Sequence, residues 1–212
     1  MVWDCACGSG QATAALAGRF ALVIATDASA EQLTHAPALP HTIWQVAPAE
    51  ASGLPDASVD VVAIAQALHW FDLSRFWPEV RRVVRPGGLI AAWSYGPQRV
   101  AEPRVDALLT DFYTSTVGPF WPAERRHVDS GYTTLAFPFE RLAPPRFAMV
   151  QEWALPQMLG YVRSWSATQR YRTSEGRDPV LELEPRLSAA WGAGTHEVRW
   201  PLTVVAGTIG VD

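Results

Sequence analysis

The sequence predicts an α/β fold, a mostly parallel sheet with helices on both faces, and three observations carry that prediction. Short apolar runs alternate with helical segments through residues 1–95. Two of the runs, "ALVIAT" (21–26) and "VDVVAIA" (59–65), have the apolar continuity of strands buried on both faces. A Gly-x-Gly loop, "CGSG" (7–10), stands between the first run and the first helix, where backbone N–H groups come close to a ligand.

Each element follows from its own signals. "MVWDCA" reads as a short first strand, and Gln11 to Ala17 as a helix closed by Gly18. After the 21–26 strand, Ser29 is placed to N-cap a helix running to about Ala36, which Pro37 stops. "HTIWQVA" (41–47) is a third strand and 59–65 the fourth. Residues 72–84 form an amphipathic helix with Phe76, Val80, Val83 and Val84 on one side. "RPGG" (85–88) stops it, and "LIAAWS" (89–94) is a fifth strand. Beyond Tyr95 the rhythm changes. Residues 97–145, rich in Pro and aromatics, read as an insertion; 146–155 as a strand leading into a helix; 156–192 as mostly helical with a turn at 175–179; and 196–207 as a last strand. The expected organisation is a single domain over 1–212, with a cofactor-binding half (1–95), a helical cap and substrate region inserted between late strands (97–192), and the closing strand.

Composition narrows the function. The chain has 212 residues, long enough for one domain with a sizeable core, and 18% charged residues, as an ordinary globular protein has. All 17 basic residues are Arg, and no basic run is present, so nucleic acid is not an expected partner. No apolar stretch reaches membrane-spanning length, and Asp4 interrupts any signal-like segment, so the expected location is cytoplasmic with no membrane partner. The only cysteines, Cys5 and Cys7, sit two residues apart without nearby His, which argues for reduced thiols and against a metal site.

In the loop, Gly8 and Gly10 begin the dinucleotide fingerprint G-x-G-x-x-G, but Thr13 occupies the third glycine position. Asp27, at the end of the second strand, suits two ribose hydroxyls, as in any adenosine ligand. His69, after the fourth strand, is the candidate general base, or it orients a substrate oxygen.

Taken together, "DCACGSG", "TDAS", "APAEASGLP", "AQALHWFD" and "VVRPGG" resemble, in order and spacing, the class I S-adenosylmethionine-dependent methyltransferases, more narrowly methyltransferase type 11. The later "VGPFWPAERRHVDSGY" and "SWSATQRY" resemble the subgroup that includes trans-aconitate methyltransferases. The resemblance implies a Rossmann-like sheet, S-adenosylmethionine as cofactor and a small-molecule substrate, in a monomer or weak homo-oligomer. It implies that Asp4, Gly8 and Gly10 line the methionine part, with Ala6 and Cys7 replacing a more usual glycine pair. Asp27 would hold the ribose, Ala28 pack near the adenine, Ala49 and Glu50 border its edge, and Gln66 border the transferred methyl. Relatives carry a few dozen residues ahead of this first strand, forming a helix over the sheet. The expectation here is a chain that starts upstream or is truncated or diverged, with an apolar sheet face prone to association.

For the substrate, aromatic walls are expected from Trp70, Phe71, Trp165 and Tyr171. Arg163 and Arg170, with Gln169 between them, would share a helix face if the helix is continuous, and paired guanidinium groups suit a carboxylate. The leading expectation is methyl transfer to a small molecule, with a carboxylate as the candidate acceptor. The alternatives are an NAD-type oxidoreductase and a non-catalytic, truncated adenosine-ligand-binding module.

Overall fold

The computed structural model describes residues 1–210. In chain order the elements are β1 (Val2–Cys5), α1 (Gln11–Ala17), β2 (Val23–Asp27), α2 (Ala30–Thr34), β3 (Thr42–Val46), β4 (Val59–Ala65), α3 (Leu73–Val83), β5 (Val84–Tyr95), β6 (Arg99–Val100), α4 (Pro103–Asp111), α5 (Arg125–Asp129), β7 (Glu140–Arg141), β8 (Phe147–Ala154), α6 (Leu155–Ser164), α7 (Ser166–Glu175), α8 (Val180–Trp191) and β9 (Thr195–Thr208). They form two compact units. Among the described residues the first holds 1–94, 130–145 and 203–210; the second holds 95–129 and 146–202. The span expected to be one inserted region, 97–192, is therefore divided, because 130–145 belongs to the first unit.

In the first unit the strands run in the order β3-β2-β1-β4-β5, joined by parallel pairings, with β9 beyond β5. The order reverses direction between β1 and β4, so loops leaving their carboxyl ends diverge and open a crevice there. Val2, Trp3, Val23, Val59, Val62 and Ile64 are buried, as strands covered on both faces require. At the sheet's edge β3 is more open: Ile43 and Val46 are half exposed. The segment 130–145 rejoins this unit through Phe137 and Phe139, which pack edge-on against Trp77 of α3, and through Arg81, which donates to the Pro138 carbonyl.

Two expected boundaries shift. Ser29 does cap α2, accepting from Gln32 N, but the helix stops at Thr34, ahead of Ala36. "RPGG" does not separate helix from strand. The α3 helix ends at Val83 and β5 begins at once, with Val84 opposite Val59 and Leu89 opposite Val61, so 85–88 bulge from the strand. Pro86 and Gly87 mark a bulge as readily as a loop, and sequence alone does not separate the two.

A buried polar knot fixes α3 to the loop between β3 and β4. Glu79, 8% exposed, accepts from the Ser52 amide (2.8 Å) and hydroxyl (2.5 Å) and from two nitrogens of Arg82. These partners, Arg82 first, hold its carboxyl down at about 2. A carboxylate depressed on folding stabilises the protein above its ordinary pKa, and that contribution is lost as pH falls from about 4.5 through about 2. Glu79→Ala, which orphans the Ser52 amide, is expected to lower stability by about 2 kcal/mol at neutral pH. Urea unfolding should show the difference shrinking below pH 4.

The second unit has its own core. Val105, Leu109, Met158, Val162, Leu183, Leu187 and Trp200, from α4, α6, α8 and β9, are buried together with Phe112, which follows α4. The strand-to-helix reading of 146–155 and the helices of 156–192 are present as β8 followed by α6, α7 and α8. Antiparallel to β9, β8 pairs from Phe147–Leu202 to Ala154–Thr195. Among the described residues no helix is long and apolar enough to cross a membrane.

Candidate active site

The carboxyl ends of β1, β2, β3 and β4 and the loops after them carry Asp4, Gly8, Gly10, Asp27, Ala28, Ala49, Glu50, Gln66 and His69. The chain leaves β1 through a loop with Ala6 at φ +57°, Gly8 at +57° and Gly10 at +89°. Gly10 is the N-cap of α1, and a side-chain carbon built there would lie 2.4 Å from Trp44 Cη2, so only glycine fits. Ala6 adopts the same left-handed backbone with a Cβ attached, at a usual cost of about 1–2 kcal/mol. Ala6→Gly should relieve that strain, offset by added freedom in the unfolded chain, and raise stability by about 0.5–1 kcal/mol in denaturant titration. An Ala6→Gly protein less stable than the parent would contradict this account of the loop.

Asp4 is fully buried. Its Oδ2 accepts from the Thr13 hydroxyl at 2.5 Å, while Oδ1 has no hydrogen-bond partner among the described residues. Burial, partly opposed by the Thr13 hydrogen bond and reinforced by the nearby Asp27 charge, pushes the Asp4 carboxyl up to about 6. Thr13, read from sequence only as a break in the dinucleotide fingerprint, is thus the residue that orients this carboxylate. Its place in the first turn of α1 was the signal available.

Asp27 ends β2. Its two oxygens accept from Gly8 N and Ser29 N, each at 2.8 Å, so it ties the glycine loop to the start of α2. Each oxygen keeps a second lone pair for another donor. Ala28 beside it is exposed, and Ala49 after β3 is buried. Glu50 Oε1 accepts from Asp72 N at 2.8 Å, which fixes the post-β3 loop to the start of α3 and engages one of its two oxygens. Gln66 follows β4 at φ +57°, with its amide donating to Trp93 O. Two non-glycine residues, Ala6 and Gln66, therefore hold left-handed backbone at the ends of adjacent central strands. Strain of this kind gathers at functional sites.

His69 lies in a short turn, Leu68–Trp70, three residues beyond Gln66. Its Nδ1 is 3.2 Å from the Tyr132 hydroxyl, and its ring lies 4.8 Å from that of Trp70. Trp70 is 56% exposed, whereas Tyr132 is buried and comes from the 130–145 segment. Tyr132 closes the stretch 117–132 that carries the subgroup resemblance, but its pairing with His69 joins positions 63 apart and is written in neither local sequence. Cys5 and Cys7 are free buried thiols; burial raises both, Cys7 to about 12. Among the described residues no group of His, Cys, Asp and Glu is arranged to hold a metal.

The model of the methyltransferase domain family matches residues 3–92. A Dictyostelium discoideum protein described by name as a methyltransferase is 30% identical over 190 residues, 89% of this chain and 72% of that one. The chain belongs to the methyltransferase family. A solved structure from Anaeromyxobacter dehalogenans, described as a type II methyltransferase, superposes on this methyltransferase with a TM-score of 0.93, at 46% identity, covering 100% of this chain and 90% of that one. Trans-aconitate 2-methyltransferase of Azoarcus sp. is 39% identical over 94 residues, 42% of this chain and 37% of that one. The fold of this methyltransferase is the expected Rossmann-like α/β sheet, and the oxidoreductase alternative falls with the family assignment.

In the second unit of the methyltransferase the expected arginine pair is not formed. Trp165 interrupts the helix with extended backbone, so Arg163 closes α6 and Arg170 belongs to α7. Arg163 is also spoken for, ion-paired with Glu184 at 2.6 Å and near Asp178. Gln169 donates to the Arg163 carbonyl at 2.6 Å, which splices the two helices. Trp165 and Tyr171 are buried: Trp165 packs against Phe112, Tyr113 and Trp121, and Tyr171 against Phe120.

Proposed function

We propose that this methyltransferase uses S-adenosylmethionine and methylates a small molecule. The observation that carries the reading is the orphaned Asp4 Oδ1, a buried acceptor beside a backbone loop that only glycine-like conformations allow. Such an atom suits a bound ammonium group, and the cofactor's methionine part carries one. When bound, the cofactor supplies a methyl group on a sulfonium sulfur that is its own leaving group. Asp4, with the backbone at Gly8 and Gly10, would hold the methionine part. Asp27 would accept from the ribose hydroxyls on its remaining lone pairs. Ala28 and Ala49 would pack by the adenine, Glu50 would border its edge with the oxygen not used by Asp72, and Gln66 would border the methyl. The protein's part is to align acceptor and methyl and to keep water out.

His69, steadied by Tyr132 and flanked by Trp70, stands as the base or as an orienting group. A carboxylate is the acceptor class we favour, in keeping with the trans-aconitate 2-methyltransferase among the relatives. Such an oxygen is already ionised above about pH 5 and needs no base. The test is transfer of labelled methyl from S-adenosylmethionine to a panel of small carboxylates, amines and phenols. A base-labile labelled ester is expected, with His69→Ala leaving the neutral pH profile flat. Label appearing only in amines or phenols would end the carboxylate reading, and label in no acceptor would count against transfer itself.

A further inference from the structure

The second unit encloses a cavity whose lining residues are all distinct from those of the glycine loop. It measures about 220 Å³ and is walled by Tyr113, Trp121, Tyr161 and Trp165. That volume lies below the roughly 300–1,000 Å³ of drug-sized sites, so an occupant must be small. Flat aromatic walls favour a flat occupant that stacks or meets them edge-on.

Arg125 is the one lining residue with a formal charge. Its Nε donates to the Tyr113 hydroxyl at 2.8 Å and lies 3.2 Å from Asp129 Oδ1. The guanidinium carbon sits over the Trp121 ring at 4.9 Å and the Tyr113 ring at 5.6 Å. Stacked and held through Nε, the fork is fixed in place, while its two terminal nitrogens have no hydrogen-bond partner among the described residues. Two parallel N–H bonds from a fixed guanidinium are what a carboxylate takes best. Asp129, which offsets part of the charge, is 40% exposed and does not line the cavity.

Gln98 supplies a second, independent mark. It lines the same cavity, is 3% exposed, and its Oε1 has no hydrogen-bond partner among the described residues. A buried amide left unsatisfied is costly, and a ligand hydroxyl would satisfy it. An amine is disfavoured beside Arg125, and a neutral ligand would leave the fork unused.

We infer that this cavity binds a small, flat, hydroxylated carboxylate, gripped by the terminal nitrogens of Arg125 and hydrogen-bonded by Gln98. The inference does not depend on the methyl-transfer reading, since its test contains no cofactor. The probe is 4-hydroxybenzoate, titrated by tryptophan fluorescence and checked by calorimetry, against the neutral 4-hydroxybenzamide. Saturable binding of the acid is expected, with the amide at least tenfold weaker. Arg125→Met should weaken the acid at least tenfold with little effect on the amide, and Gln98→Leu should weaken both several-fold. Near-UV circular dichroism reports whether each variant keeps its packed aromatics. Equal binding of acid and amide by the parent protein would overturn the inference even if Arg125→Met fails to fold. Absence of saturable binding, or a folded Arg125→Met that binds the acid like the parent, would do the same.

Discussion

Asp4→Asn is expected to abolish measurable cofactor binding, weakening it by about a hundredfold or more, while leaving the ligand-free protein as stable as the parent or more stable above pH 6. The two effects share one cause. A fully buried carboxylate with one oxygen unpartnered is disfavoured until a cation meets it. The raised carboxyl pKa, about 6 against an ordinary 3.8, expresses that penalty. With a folded-state value above the unfolded one, the native protein binds the proton more tightly, so Asp4's contribution is most favourable below pH 3.8 and declines as pH rises to about 6. Removing the charge should therefore gain up to about 3 kcal/mol above pH 6, with Asn still able to accept from Thr13. Binding runs the other way. A ligand ammonium needs the ionised carboxylate, so parental affinity for S-adenosylhomocysteine should rise about fivefold between pH 5 and 6 and level off by about pH 7. Melting curves and calorimetry across pH 5–8 measure both. A destabilised Asp4→Asn protein that still binds would refute the assignment.

Asp27→Ala should cost affinity and stability together. Two ribose hydrogen bonds to a charged acceptor would be lost, about 3 kcal/mol or more, which is roughly a hundredfold in S-adenosylhomocysteine affinity. The same change orphans Gly8 N and Ser29 N, which the carboxylate now caps, so the melting temperature should fall as well. Asp27→Asn separates the two roles. One amide oxygen can keep one of the backbone caps, yet the charge is gone, so affinity should fall further than stability. Affinity unchanged in Asp27→Ala would remove this residue from the cofactor site.

The first unit was largely legible because its rules are local. Apolar runs at βα spacing, the Gly-x-Gly turn and the acid ending the second strand are each written in a few consecutive residues, and β4 occupies the span 59–65 read from sequence. What was missed depends on contacts distant in sequence or on a single break. Tyr132 reaches His69 from a segment that composition grouped with the insertion. The arginine pair failed because Trp165, an ordinary residue within a helical pattern, carries extended backbone and divides α6 from α7. Arg125 lies in the stretch 117–132 that carries the subgroup resemblance, but neither it nor Gln98 belongs to a periodic pattern, and only the cavity brings them together.

Calorimetric titration of the 212-residue protein with S-adenosylhomocysteine and, separately, with NAD asks whether the loop after β1 holds S-adenosylmethionine. Saturable one-to-one binding of S-adenosylhomocysteine and none of NAD is expected, with the former lost in Asp4→Asn. Failure of S-adenosylhomocysteine to bind the folded protein, or binding that survives in Asp4→Asn, would contradict that assignment.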